Sequence, residues 1–356
     1  MQLFKHKNKG NFLFGKILPV VLTLLVGAVI GGVLWYQVNL QAVNIADESL
    51  VKVTIEKATT PSQIAQKLLQ AGLIRSEKAF YIYARLSRQA DNLQAGTYRL
   101  SPSESIPAII EHLAKGNVDQ FALTFYPGAT LVGGTESSSK YSVTTALKKA
   151  GYQDDEIASA LNQTYNGDLF DGKPAGADLE GYVYGDTYYF NTGVSAQEIL
   201  QTTFDEFYKV IQDNDLQAKF ASKGLNLYQG ITLSSIVQRE AGNPEDQKQI
   251  AQVFFSRLNE GIMLGSDVTY QYVADKTAVA RDPSLDSPYN TRKYAGLPPG
   301  PIAVPGLSAL QAVANPASGE YMYFLSGDDN QMHYAYTEAE HEANIVQYCK
   351  VKCSEN

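Results

Sequence analysis

The sequence predicts an α+β protein carried on a single N-terminal transmembrane helix, with a small α+β module followed by a larger mixed α+β domain. Three observations predict it. No charged residue occurs from Ile17 to Ala46. A strand, helix, helix, strand, helix pattern then fills residues 51–118. Further on, an amphipathic helix over residues 231–240 places a carboxylate where its apolar stripe calls for a hydrocarbon.

The charge-free run includes ILPVVLTLLVGAVIGGVLWY, and twenty helical residues span roughly 30 Å, the thickness of a bilayer core. A cleaved signal peptide fits less well, because the run is longer than a typical apolar signal segment and no small-residue cleavage site precedes Trp35 and Tyr36. Those aromatics suit the far interface. Lys5, Lys7, Lys9 and Lys16 precede the span without an acid among them, so the positive-inside rule leaves residues 1–16 as a cytoplasmic tail, makes 17–40 the membrane helix and exports the rest. A single-pass protein of the cell membrane is expected, with its bulk on the extracytoplasmic side. The formal charge is -8, and without those four lysines 25 basic residues face 37 acidic ones, a net -12. Such a surface is a poor match for nucleic acid. Cys349 and Cys353 lie four apart in the tail, where export permits a disulfide; they could equally be free thiols, and they receive no catalytic role.

The first exported element is VKVTIE at 51–56, whose alternation reads as a strand. Thr60 as N-cap, Pro61 at the first helical position and Gln63 at the third start a helix carrying Ile64, Ala65, Leu68 and Leu69, which Gly72 stops. A second helix covers 77–87, GTYRLS at 96–101 reads as a strand, and a helix from about 105 to 115 ends at Gly116. From Gly128 to Gly151 the chain turns polar and rich in Gly and Ser, a module boundary within a connecting region that runs from 119 to 178. Ser137 and Lys140 form an SxxK there, without the companion triplets that would give it catalytic meaning.

LEGYVYGDTYYF at 179–190 packs Glu180 and Asp186 among Tyr182, Tyr184, Tyr188 and Tyr189. It reads either as an ordinary hairpin with tyrosine strand formers or as a surface on which tyrosine rings stack against sugars. In the following helix Leu233, Ile236, Val237 and Glu240 share one face. A carboxyl held among apolar neighbours has a raised pKa and can serve as a general acid near neutral pH; alternatively the acid reaches solvent or pairs with Arg239 or Arg257. Asn243, Pro244 and Asp246 break and recap the chain before a second helix presenting Ile250, Val253, Phe254 and Leu258. MLGSDVTYQYV then leads to SPYNTRKYAGLPPGPIAVPG, whose five prolines from Pro288 to Pro305 exclude helix and central strand. Long ordered loops of this kind are usually functional. His333 and His341 lack a third ligand at suitable spacing, so a buried polar network is expected there rather than metal.

The ordered series LEGYVYGDTY, SIVQREAG, VFFSRLNEGIMLGSDVT, SPYNT, GLPPGPIAVPG, NPA and HYAYTEAEH resembles the MltG/YceG-like endolytic murein transglycosylase family over roughly residues 50–347. The resemblance implies a membrane anchor, a LysM-like subdomain near 51–118 and a catalytic transglycosylase domain over 179–348 that cuts peptidoglycan glycan strands near the membrane, with no cofactor. It places the catalytic glutamate on Glu240. Glu180, Tyr182, Tyr188, Ser266, Asp267, Tyr289 and Asn290 fall in matched motifs as candidate sugar-binding residues, and peptidoglycan synthases become candidate partners. Gln238 replaces a second acid of the family helix, Gly185 stands where the family usually has Pro, and Val268 stands where it has Pro after the Asp. The implied reaction is attack of the muramyl C6 hydroxyl on C1, leaving a 1,6-anhydromuramyl end. A hydrolase pairing Glu240 with Asp267 or Glu180 is the enzymatic alternative, and an idle membrane-anchored glycan-binding scaffold is the non-enzymatic one.

Overall fold

The computed structural model describes residues 11–47, 49–116, 120–133 and 141–353; Lys5, Lys7, Lys9 and the Ser137 and Lys140 pair lie outside the described residues. The chain forms two compact units, one reaching to Phe121 together with Asn191–Gly193, the other comprising Ala122–Phe190 and the chain from Val194 onward.

The first unit begins with helix α1 (Asn11–Leu40). Its segment Val21–Leu40 is long and apolar enough to cross a membrane. Leu22, Leu24, Val29 and Val33 point outward instead of into a core, the arrangement that suits hydrocarbon surroundings. Strand β1 (Val51–Ile55) pairs antiparallel with β2 (Gly96–Leu100), Val53 opposite Tyr98. Between them lie α2 (Pro61–Gln70) and α3 (Glu77–Leu86), and α4 (Ile106–Lys115) follows. Thr60 and Gln63 form the reciprocal capping box that their spacing predicts. Gly116 ends α4 in the left-handed region at φ 66°, where a side chain would be strained. Ile55, Ile64, Leu68, Phe80, Tyr98, Leu100, Ile109 and Leu113 close the core of this unit.

Strand β3 (Gln120–Thr124) forms a two-stranded ladder with β4 (Thr187–Asn191). The tract read as a loop from Gly128 to Gly151 contains α5 (Val143–Lys149), capped by Ser142 and anchored by buried Val143 and Leu147; α6 (Asp154–Asn162) follows. These helices carry only two buried apolar side chains each, too few to show as a stripe against the polar composition. The larger unit is otherwise mostly helical: α7 (Ala196–Asp213), α8 (Leu216–Ser222), α9 (Leu227–Glu240), α10 (Pro244–Asn259), α11 (Asp267–Thr277) and α12 (Leu307–Ala314), then the hairpin β5 (Tyr323–Ser326) and β6 (Met332–Ala335), and α13 (Glu338–Tyr348).

Helix α9 is the axis of this unit. Helices α8, α10, α11 and α12 all pack on it, and Leu227, Ile231, Leu233, Ile236 and Val237 are buried. Gly230 permits the contact with α8, since a Cβ there would lie 2.2 Å from the Phe220 ring. The proline-rich stretch contains no helix or strand and runs alongside α9 in the same direction. The Tyr228 hydroxyl donates to the Pro299 carbonyl, the Ile302 N–H donates to Ser235 Oγ, and the Gly306 N–H donates to Gln238 Oε1. Ile302, Ala303 and Val304 thereby become core residues. The final turn of the chain is closed by a Cys349–Cys353 disulfide, around a carboxylate, Asp328, that accepts from the backbone N–H groups of Lys350, Val351 and Lys352.

Candidate active site

Glu240 is the last residue of α9, just beyond the buried stripe of Leu233, Ile236 and Val237. It keeps part of its surface open, yet protein atoms crowd its carboxyl, and this burial raises its pKa from 4.5 to about 7. The hydroxyl of Ser266 opposes the rise by donating to Oε1 at 2.5 Å; the charge of Asp267 adds to it, and that of Arg239 subtracts. Among the described residues Oε2 makes no hydrogen bond, so the carboxyl has one anchored oxygen and one free for a ligand.

Ser266 is itself fixed by two threonines that the motif reading passed over. Its N–H donates to Thr291 Oγ1 at 3.1 Å, and its carbonyl accepts from Thr269 Oγ1 at 2.6 Å. The two hydroxyls lie 3.0 Å apart, and both threonines are buried. Their signal was their place at the ends of SDVT and SPYNT. A short hydroxyl network thus clamps the start of α11 to the SPYNT turn and holds Ser266 against the acid. Asp267 opens α11 and forms an ion pair with Arg292.

The other candidates separate into two groups. Glu180 lies 2 % exposed, with Oε1 accepting from the Leu131 N–H at 2.8 Å and Oε2 from the Tyr272 hydroxyl at 3.1 Å. Burial is the largest influence on it and lifts its pKa to about 7; the Leu131 hydrogen bond and nearby Lys276 pull the other way. Tyr289 stays half-buried, its ring 5.4 Å from that of Tyr272, so it extends the Glu180–Tyr272 network toward the surface. Ser266 and Asp267 adjoin Glu240, and Tyr272 on the same helix α11 reaches Glu180.

Two expectations need correction. Tyr182 is fully buried and its ring stacks on Phe170 at 5.0 Å, so it has no face for a sugar. Asn290 is also fully buried, its amide donating to the carbonyls of Pro283 and Leu285 at 2.8 Å each and accepting from the Arg292 N–H at 3.0 Å; it folds the SPYNT turn. Tyr188 donates to the Tyr184 carbonyl and stacks on Phe190 beside β4, yet it stays half-buried and lines a surface cavity with Asp186, Thr202 and Glu206. His333 contacts Asp329 and stacks on Tyr348, while His341 stacks on Tyr323.

The departures from the family motifs have local explanations. A Cβ at Gly185 would meet the Pro127 nitrogen at 2.7 Å, so Pro127 already occupies the space that a proline there needs. Gln238 keeps an acceptor on the Gly306 N–H. Val268 sits in the first turn of α11, where a proline and a valine fit equally.

The family model described as the YceG-like family matches residues 53–347. The chain is 30% identical over 338 residues to the endolytic murein transglycosylase of Bacillus subtilis (strain 168), covering 91% of this chain and 92% of that protein. It is 29% identical to the endolytic murein transglycosylase of Streptococcus pneumoniae serotype 2, of which it spans 63%. A crystal structure of a YceG-like protein from Listeria monocytogenes superposes with a TM-score of 0.50 at 27% identity, covering 83% of this chain and 98% of that one. The chain belongs to the YceG-like family.

Proposed function

We propose that this chain is an endolytic murein transglycosylase that cuts the MurNAc–GlcNAc bond of peptidoglycan glycan strands, leaving 1,6-anhydromuramyl ends and so ending strand elongation. Glu240 protonates the glycosidic oxygen from Oε2 and then, as the carboxylate, takes the proton of the muramyl C6 hydroxyl as that oxygen closes on C1. One observation supports this reading above the others: the site offers one carboxyl with its pKa raised to about 7, and among the described residues no second carboxylate beside it that lacks a cationic or hydrogen-bonded partner. Hydrolysis needs such a second carboxylate, but both oxygens of Glu180 are engaged within the protein and Asp267 is paired with Arg292. The C6 hydroxyl of the substrate replaces the missing group. Ser266 orients the acid, and Tyr289 and Asp267 line the sugar side.

In this reading α1 anchors the chain with its N-terminus in the cytoplasm, the larger unit works on the extracytoplasmic side, and the first unit is a LysM-like module that spaces the site from the bilayer. Strands emerging from membrane-bound synthases are the substrate, and those synthases are the natural partners. The test is cleavage of purified glycan strands by the full chain in detergent, wild type beside Glu240→Gln. General acid–base groups contribute about 100-fold to 10,000-fold, so the variant should retain at most about a hundredth of the rate. An unchanged rate in the variant would remove Glu240 from the chemistry.

A further inference from the structure

Arg239 stands next to Glu240 at the end of α9, and its guanidinium has no partner. Among the described residues it makes no hydrogen bond and no ion pair. Two of the three acids around it are already committed. Asp275 is held by Arg281 in a two-pronged pair, Nε to Oδ1 at 3.0 Å and Nη2 to Oδ2 at 2.8 Å. Glu180 has both oxygens engaged, whereas Glu240 gives Oε1 to Ser266 and keeps Oε2 open. Burial draws the Arg239 pKa below its ordinary value, with Asp275, Arg281, Glu180 and Glu240 as the charged groups acting on it. Arg281 therefore adds a second positive charge to the neighbourhood.

A guanidinium carries five N–H donors in a fixed fork, and those of Arg239, which is half-buried, stay open to an acceptor. An incoming anion would engage them. The bond cleavage supplies none at this place, because its transition state builds positive charge on the sugar ring. A bare cation beside the acid opposes that charge unless it comes paired. The muramyl residue brings an anion of its own, since the peptide stem attached to it carries carboxylates.

We propose that Arg239 binds a carboxylate of the peptide stem on the muramyl residue at the cut bond, making it a specificity contact for strands whose stems keep that group free. The planar fork matches a carboxylate with two parallel hydrogen bonds, which an ammonium cannot do. The inference rests on the transglycosylase reading of Glu240.

The test uses the full chain in detergent and two forms of one preparation of uncrosslinked glycan strands, with stem carboxylates free or converted to amides by carbodiimide and ammonia. kcat and KM are measured for wild type, Arg239→Gln and Arg239→Lys. Amidation should raise the wild-type KM about tenfold to a hundredfold, the range for a hydrogen bond to a charged group, with kcat nearly unchanged. Arg239→Gln should show the high KM on both forms, and Arg239→Lys an intermediate one. Equal wild-type KM on the two forms overturns the proposal, and this comparison stands without any variant. A drop in kcat for Arg239→Gln that is equal on both forms, at unchanged KM, also overturns it, because a residue that only shapes the helix end behaves that way. Cleavage of neither form by wild type refutes the transglycosylase reading and this inference with it.

Discussion

Ser266→Ala removes the one hydrogen bond that holds the Glu240 carboxyl, and its effect can be worked out in sign and size. The Ser266 hydroxyl donates to Oε1 at 2.5 Å and so favours the ionised form, against the burial that raises the pKa to about 7. A hydrogen bond to a charged group is worth about 1.5–3 kcal/mol. Glu240 keeps some solvent contact, so the lower end applies, and roughly 1.4 kcal/mol corresponds to one pH unit. The free enzyme must hold Glu240 protonated, so wild-type kcat/KM should be level at low pH and fall above a break near 7. In Ser266→Ala the break should move up by about one pH unit, with a lower plateau because the carboxyl loses its orientation. The assay is the initial rate of new chain ends from defined glycan strands across pH 5 to about 10. A break that stays or moves down would refute the assignment, because loss of a donor to a carboxylate can only raise its pKa.

Other consequences concern stability. Glu180 has a folded pKa of about 7 against an ordinary 4.5, so the stability associated with its neutral form is complete below 4.5 and is lost as pH rises toward 7; the gap corresponds to about 3 kcal/mol. Thermal unfolding of the full chain in detergent should show that slope, and Glu180→Gln should flatten it. Gly230→Ala should destabilise by about 1–3 kcal/mol through overpacking against Phe220, seen as a lower melting temperature. Replacing Cys349 and Cys353 together with Ser should cost at most about 2 kcal/mol, the loop-closure value for so short a ring, and leave glycan cleavage unchanged.

What the sequence revealed follows the range of each interaction. The capping box of Thr60 and Gln63, the individual strands at 51–55 and 96–100 and the stop at Gly116 are decided within a few residues, and they were legible. Glu240 was legible as an acid at the end of an apolar stripe. The clamp itself was not, because Ser266 lies 26 residues from Glu240 and its supporting Thr291 25 further on. Glu180 bonds Leu131 and Tyr272 at separations of 49 and 92 residues, so no local pattern distinguishes its burial from exposure on a hairpin. Tyr182 illustrates the same limit: a tyrosine in an aromatic-rich turn suits a sugar face or a core equally, and only the packing of Phe170 against it decides.

The central claim is that the site cleaves without water. The most direct measurement is digestion of glycan strands by the full chain in water enriched in heavy oxygen, with mass spectrometry of the new ends. Anhydromuramyl ends, lighter than a reducing sugar by one water and free of the label, are the result expected of a single acid with the C6 hydroxyl as nucleophile. Reducing ends carrying heavy oxygen would contradict it and would require a second carboxylate at Glu240.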